Sequence, residues 1–239
     1  HFSLSGFEMR IRTKTGEERI VISKWNALEL DKQRHAIGTF QDITEHKRAE
    51  ARSLQLNRLY TTLIQINQTI ARVRDQDTLF AKICQVAIEF GKYRFAWIGL
   101  IDETSHAIEP VMFAGEERDY LRKITIKDSD EPLGYGPTGT SVRENRCVIC
   151  EDIAADSRME PWREQALQRG FRSSAAIPIR RKGSIIGAFS VYAAETGAFD
   201  AANEDLLEEI GTDISFALDG IQTEIERKKA EEEVRNREK

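Results

Sequence analysis

Residues 170–193 read Gly-Phe-Arg-Ser-Ser-Ala-Ala-Ile-Pro-Ile-Arg-Arg-Lys-Gly-Ser-Ile-Ile-Gly-Ala-Phe-Ser-Val-Tyr-Ala. Two apolar runs, 172–180 and 184–193, are split by Lys182-Gly183, a pair suited to a tight turn, so the stretch is predicted to be an antiparallel hairpin. Upstream, residues 94–101, 108–114, 123–127 and 147–153 carry further strand patterns. Between them lie a Gly/Pro-rich loop over 131–145 that opens a short helix and a second helical stretch over 161–169. Strands interleaved with short helices and bracketed by long ones predict an α+β domain with a central antiparallel sheet.

The brackets are helical. From about Glu45, Leu56, Leu59, Leu63, Ile66, Ile70 and Val73 recur at three- and four-residue steps, and Asp77 is placed as the N-cap of a second helix that ends at Gly91. After Asn203, Leu207, Ile210, Ile214, Ala217, Ile221 and Ile225 repeat the same spacing. Beyond Ile225 the chain turns to Glu-Arg-Lys-Lys-Ala-Glu-Glu-Glu-Val-Arg-Asn-Arg-Glu-Lys, too charged to bury, which predicts a helix that leaves the domain. Two long stripes that outrun one domain point to a parallel homodimer, with Leu56, Leu59, Leu63, Ile66, Ile214, Ile221 and Ile225 as candidate seam residues.

The first 46 residues differ again. Phe7, Met9 and Ile11 alternate with Glu8, Arg10 and Arg12, a turn follows at 14–17, and the pattern resumes over 19–22. A third strand over 35–43, after a polar turn at 31–34, completes a three-strand meander with one apolar face.

Composition narrows the function classes. The 239 residues are 40% hydrophobic and 31% charged with a net charge of -5, and basic and acidic residues are interspersed, which excludes a cationic stripe for nucleic acid. The longest apolar run, 95–101, is far short of the roughly 20 residues that span a bilayer. With three cysteines and no signal-peptide pattern the expected compartment is the reducing cytoplasm.

Candidate chemistry is sparse. Cys147 and Cys150 stand three apart on a predicted strand, where their thiols face opposite ways, one inward and one outward, a poor metal or redox pair. The loop Gly134-Tyr135-Gly136-Pro137-Thr138-Gly139 has the glycines of a positive-φ turn and lacks the Gly-Lys-Ser/Thr ending of a phosphate loop; one wall of a ligand pocket is its other reading. The four histidines, His1, His35, His46 and His106, show no ligand spacing, and no catalytic set emerges.

Two resemblances add to this reading. Gly38-Thr39-Phe40-Gln41-Asp42-Ile43-Thr44-Glu45-His46-Lys47 resembles the closing strand and exit motif of PAS domains, which implies that residues 1–46 are the C-terminal part of one. Phe95-Ala96-Trp97-Ile98-Gly99-Leu100, Gly136-Pro137-Thr138-Gly139, 148–152, 170–178, Gly187-Ala188-Phe189-Ser190-Val191-Tyr192 and then Phe199 and Glu204 resemble a GAF domain over 55–219. Residues 47–76 are then the connecting and dimer helix, and 220–239 a coiled-coil connector to an output domain. The resemblance implies a sensory region of the kind found in bacterial diguanylate cyclases, cyclic-di-GMP phosphodiesterases and sensor histidine kinases. Resemblance and alternation together make Trp97, Tyr120, Trp162, Arg172, Ser174, Ser190 and Tyr192 the candidate lining of a small-molecule pocket, with simple core packing as the alternative. The lysine of cyclic-nucleotide-binding GAF domains and the cysteine pattern of bilin-binding ones are missing, so the ligand is unassigned. A ligand-free dimerisation spacer and a GAF-type methionine sulfoxide reductase are the rival readings.

Overall fold

The computed structural model describes residues 3–30, 33–115 and 118–237. His1, the turn residues Asp31 and Lys32, and the end of the connector at Lys239 lie outside the described residues. The chain divides into two compact units, His1–Gln55 and Leu56–Lys239.

In the first unit, β1 (Ser3–Arg12), β2 (Glu18–Leu30) and β3 (Gln33–Asp42) form an antiparallel meander in that order. Register rows such as Phe7–Ser23–Phe40 put Phe7, Met9, Ile11, Trp25 and Phe40 on one face. Phe7 and Phe40 stay more than half exposed there. Gly16, at φ +87°, closes the first turn. At the end of β3 the Asp42 carboxylate accepts the Thr44 N–H at 2.9 Å and an Arg19 N–H at 2.7 Å, and so starts α1 (Thr44–Ile70). The bonds from Thr44, then that from Arg19, hold the Asp42 carboxyl at about 2.

The second unit contains a five-stranded antiparallel sheet in the order β5-β4-β8-β7-β6, built from β4 (Phe95–Ile101), β5 (Ile108–Gly115), β6 (Val148–Cys150), β7 (Ser173–Arg181) and β8 (Ser184–Ala193). The hairpin at Lys182-Gly183 is present, both residues having positive φ. On one face the apolar sides of α1, α2 (Gln76–Glu89) and α6 (Glu204–Arg237) bury Ala96, Ile98, Ile177, Phe189 and Val191. The other face is covered by the segment that carries α3 (Arg118–Lys123), α4 (Pro137–Glu144) and α5 (Arg163–Gln168).

Several expectations need correction. Residues 123–127 form no strand: a short helix ends at Lys123, and Lys127 makes one isolated bridge, to Ala107. Asp75, in extended backbone, caps α2 in place of Asp77, because its carboxylate is the one that reaches the Thr78 N–H at 2.9 Å. The final helix begins at Glu204, one 3₁₀ turn after Asp200. Most consequential are the seam residues: Leu59, Leu63, Ile66 and Ile214 are buried in this chain's own core against the sheet. Ile221 is half-buried against that core, and only Leu56 and Ile225, at 37% and 41% exposure, leave more than a third of their surface to solvent. The exposed apolar line on α1 is instead Leu56, Tyr60 and Ile64, and on α6 Phe216 is 76% exposed.

Candidate functional site

Strand register dictates which side chains meet on the helix-free face. Cross-strand partners share a face, so Cys150, Ser174, Tyr192 and Phe95 form one row and Ala176, Ser190, Trp97 and Phe113 the next. Four of the seven candidate lining residues, Trp97, Ser174, Ser190 and Tyr192, are thereby brought together. Tyr120 from α3 and Trp162, just ahead of α5, join them from the covering segment. Tyr120 stands edge-on to Phe171 at 5.3 Å and to Tyr192 at 5.6 Å, and Phe171 lies 4.9 Å from Tyr192 and 5.8 Å from Phe95. Such offset and edge-to-face spacings are those of favourable ring pairs.

Arg172 does not belong to this group. Its guanidinium donates to the carbonyls of Leu167 and Phe171, at 3.2 and 3.1 Å, and so closes the C-terminal end of α5. Trp162 is a wall with its polar edge satisfied, since Nε1 donates to the Thr125 carbonyl at 3.0 Å. Gly136 is glycine because a Cβ there would come within 2.3 Å of the Trp162 ring. None of Gly134, Gly136 and Gly139 has positive φ, so close approach, and not a left-handed turn, is what the loop requires.

Polar atoms thread this aromatic cluster. Thr138 on α4 and Ser190 on β8 share a buried hydrogen bond of 3.0 Å. Trp97 Nε1 and Ser174 Oγ are fully buried with no partner in hydrogen-bond geometry. The Tyr192 hydroxyl faces the Tyr120 hydroxyl and the Trp97 indole, and burial pushes both phenols up. At the edge of the face a cavity of about 250 Å³ opens beside Trp97, walled by Ile108, Pro110, Leu121, Arg122 and Ile126. Among the aromatic cluster only Trp97 lines this cavity, to which Glu109 and Arg122 bring charge.

The cysteines fall on opposite faces, as their spacing predicts, but both faces are covered, so neither thiol is outward. Cys147 packs among the helices and Cys150 among the aromatics. Burial, then the carboxylates of Glu204 and Glu208, pushes Cys147 up to about 12; burial and Asp156 do the same to Cys150. Burial works to raise Asp156 as well, but the Arg158 guanidinium, 2.6 Å away, holds it low. Among the described residues no group of three or more His, Cys, Asp or Glu could hold a metal ion.

Thr138, Phe95 and Phe171 are site residues that the sequence reading missed. All three lie inside motifs already singled out, Thr138 in the loop read as a possible pocket wall, and the two-residue alternation from Trp97 places Phe95 on the same face. Thr138 sits on a helix, where strand alternation gives no signal.

Comparison with known proteins agrees with this fold. No curated protein sequence matches the chain. Its fold is similar to that of the free methionine-R-sulfoxide reductase from Neisseria meningitidis, with a TM-score of 0.58 at 19% identity over 69% of this chain and 90% of that one. It is also similar to the GAF domain of the Acinetobacter phosphoenolpyruvate-protein phosphotransferase (TM-score 0.53, 16% identity, 71% and 96% covered). The Coxiella burnetii counterpart gives a TM-score of 0.54 at 15% identity, with 74% and 98% covered. The GAF domain family model matches residues 73–219, more than half of the chain, and the protein therefore belongs to the GAF domain family.

Proposed function

We propose that this chain is a sensory, regulatory module of a cytoplasmic signalling protein. Residues 1–46 are the C-terminal part of a PAS domain, the GAF domain takes a small organic ligand, and the chain pairs as a parallel homodimer. α6 passes the signal to an output domain of the diguanylate cyclase, phosphodiesterase or histidine kinase type, without contact to nucleic acid or membrane. The observation that carries the ligand reading is the buried, unpartnered Ser174 Oγ on the aromatic face, beside a Trp97 Nε1 whose polar neighbour, the Tyr192 hydroxyl, lies outside good hydrogen-bond geometry. A buried donor without a partner costs about 1–3 kcal/mol, which a ligand acceptor would relieve. For pairing, the exposed Leu56, Tyr60 and Ile64 of α1 and Phe216 and Ile225 of α6 replace the buried residues of the sequence-derived seam.

Native mass spectrometry of the purified protein, followed by a thermal-shift screen of metabolites, tests the ligand. A bound or stabilising small molecule supports sensing; an empty protein that no compound stabilises sinks it. Sedimentation at high concentration tests the pairing, and a strictly monomeric species removes it.

The ring spacings favour the second reading, a ligand-free spacer, because the aromatic face is already well packed. The reductase reading has less support. Thiol chemistry needs accessible thiolates, whereas Cys84, Cys147 and Cys150 are all buried with raised pKa values. Reduction of free methionine sulfoxide by the purified protein would reinstate it.

A further inference from the structure

The β7–β8 hairpin touches two places that the proposed function keeps separate. Its base carries Ser174, Ser190 and Tyr192 into the aromatic face. Its tip reaches the part of α6 that leaves the domain. There the Lys182 backbone N–H donates to Asp219 Oδ1 at 2.6 Å, and Lys182 Nζ pairs with Glu226 Oε1 at 2.6 Å. Gln222 Nε2 donates to the same Glu226 oxygen at 2.8 Å, so the acceptor is fixed from both sides.

The tip is built for that contact. β7 and β8 slip register between Ile179 and Arg180, a bulge that turns the last residues of the hairpin away from the plain ladder. The Arg180 N–H then bonds Ser215 Oγ on α6 at 2.9 Å, and Ser215 in turn donates to the Gly211 carbonyl at 2.6 Å. At Gly211 the helix lies so close to β7 that a Cβ would meet Ile177 at 2.5 Å. Left-handed Lys182 and Gly183 present the terminal N–H to the helix.

A second strut closes the loop. The Arg180 guanidinium donates to the Asn145 side chain at 2.7 Å and to its carbonyl at 3.2 Å, and Asn145 is the C-cap of α4. The opposite end of α4 carries Thr138, which bonds Ser190 in the aromatic face. Hydrogen bonds therefore run from Ser190 through α4 and Arg180 to α6, beside the direct path along β8.

We infer that the tip of the β7–β8 hairpin is a latch that fixes the exit turn of α6, and that this hairpin is the route by which a change at the Thr138–Ser190 contact reaches the helix. The latch rests on contacts within this chain; the route rests on the sensory reading above. From Ser190 to Lys182 the strand spans roughly 26 Å at about 3.3 Å per residue, long enough to turn a small tilt at the base into a displacement at the tip.

Hydrogen exchange of the full chain, read on peptides covering residues 215–227, tests this. Asp219→Ala is expected to speed exchange there by about five- to tenfold and Lys182→Ala, which keeps its backbone N–H and loses only the Glu226 pair, by about threefold, with the sheet unchanged and Lys182→Arg close to wild type. Exchange within about twofold of wild type in both alanine variants overturns the latch, whatever the pocket does. A circular-dichroism melt of each variant separates a loosened helix from general unfolding, and a variant that melts globally is replaced by Glu226→Gln. In a second arm, Thr138→Val is expected to alter exchange at 215–227 in the wild-type background and to lose that effect with Asp219→Ala. An equal effect in both backgrounds overturns the route. A silent Thr138→Val beside a loosening Asp219→Ala upholds the latch and overturns the route, while the ligand screen above decides the sensory reading separately.

Discussion

Replacing Phe171 by alanine asks whether the aromatic face is a filled core or a pocket with slack. Phe171 is fully buried, with the rings of Tyr192, Tyr120 and Phe95 centred 4.9–5.8 Å away. Truncating a buried Phe costs about 3–5 kcal/mol, from lost transfer energy and the cavity left behind. The three ring pairs, worth about 0.5–1.5 kcal/mol each when counted separately, are lost with it and place the expectation near the top of that range. For a domain of this size each kcal/mol lowers the melting temperature by about 2–4 °C, so Phe171→Ala should melt about 8–20 °C below wild type. The assay is differential scanning fluorimetry with urea denaturation alongside, an unchanged urea slope indicating that the native state is otherwise intact. The void would be apolar and walled by rings, so benzene added to Phe171→Ala should recover part of the loss and do little for wild type. A loss below about 1 kcal/mol would refute the reasoning: the rings would then be lining a space that relaxes freely, and the spacer reading would lose its main support.

Two other outcomes follow from the same structure. In the folded chain Cys147 and Cys150 hold their protons to about 12, against 9.0 ordinarily, so the stability they contribute is complete below pH 9 and is lost as pH rises. Between pH 9 and 10 each thiol should lower the unfolding free energy by up to about 1.4 kcal/mol per pH unit, on top of a smaller and growing contribution from the buried phenols; urea titrations should show a flatter slope for Cys147→Ala, and an unchanged slope would contradict its burial. A Cβ at Gly187 would lie 2.0 Å from the Gly99 carbonyl oxygen, while one at Gly183 meets nothing within 4 Å. Gly187→Ala should therefore cost about 3 kcal/mol or more by overpacking, and Gly183→Ala only about 1–2 kcal/mol for its positive φ; thermal melts that reverse this order would contradict the register of β4 and β8.

The parts of the fold that were legible in the sequence are those fixed by local chemistry. Lys182-Gly183 announces a turn because few residue pairs accept two positive φ values, and Cys147 and Cys150 fall on opposite faces because a strand repeats every two residues. The stripes of the long helices were legible as stripes but not as to what covers them. Leu59, Leu63, Ile66 and Ile214 read as a seam between chains only while the sheet beneath them is out of view. The candidate site was half legible. Trp97, Ser174, Ser190 and Tyr192 gather on one face by alternation, but Arg172 has the same parity and turns instead to nearby carbonyls, which no periodicity reports. The helix at 118–123 is too short to show a period, and Asp75 outdid Asp77 by two residues of reach.

The solvent-borne end of α6 carries its own reinforcement. Arg227 bonds Glu224 at 2.7 Å and also Glu231, and Lys228 lies 3.6 Å from Glu224, all one turn away along the same rod. Exposed ion pairs of this kind weaken as ions are added, since the screening length contracts from about 10 Å at 0.1 M to about 3 Å at 1 M. Added salt should therefore let the free end of the rod fray sooner, and a dilute medium should keep more of its turns intact than a briny one.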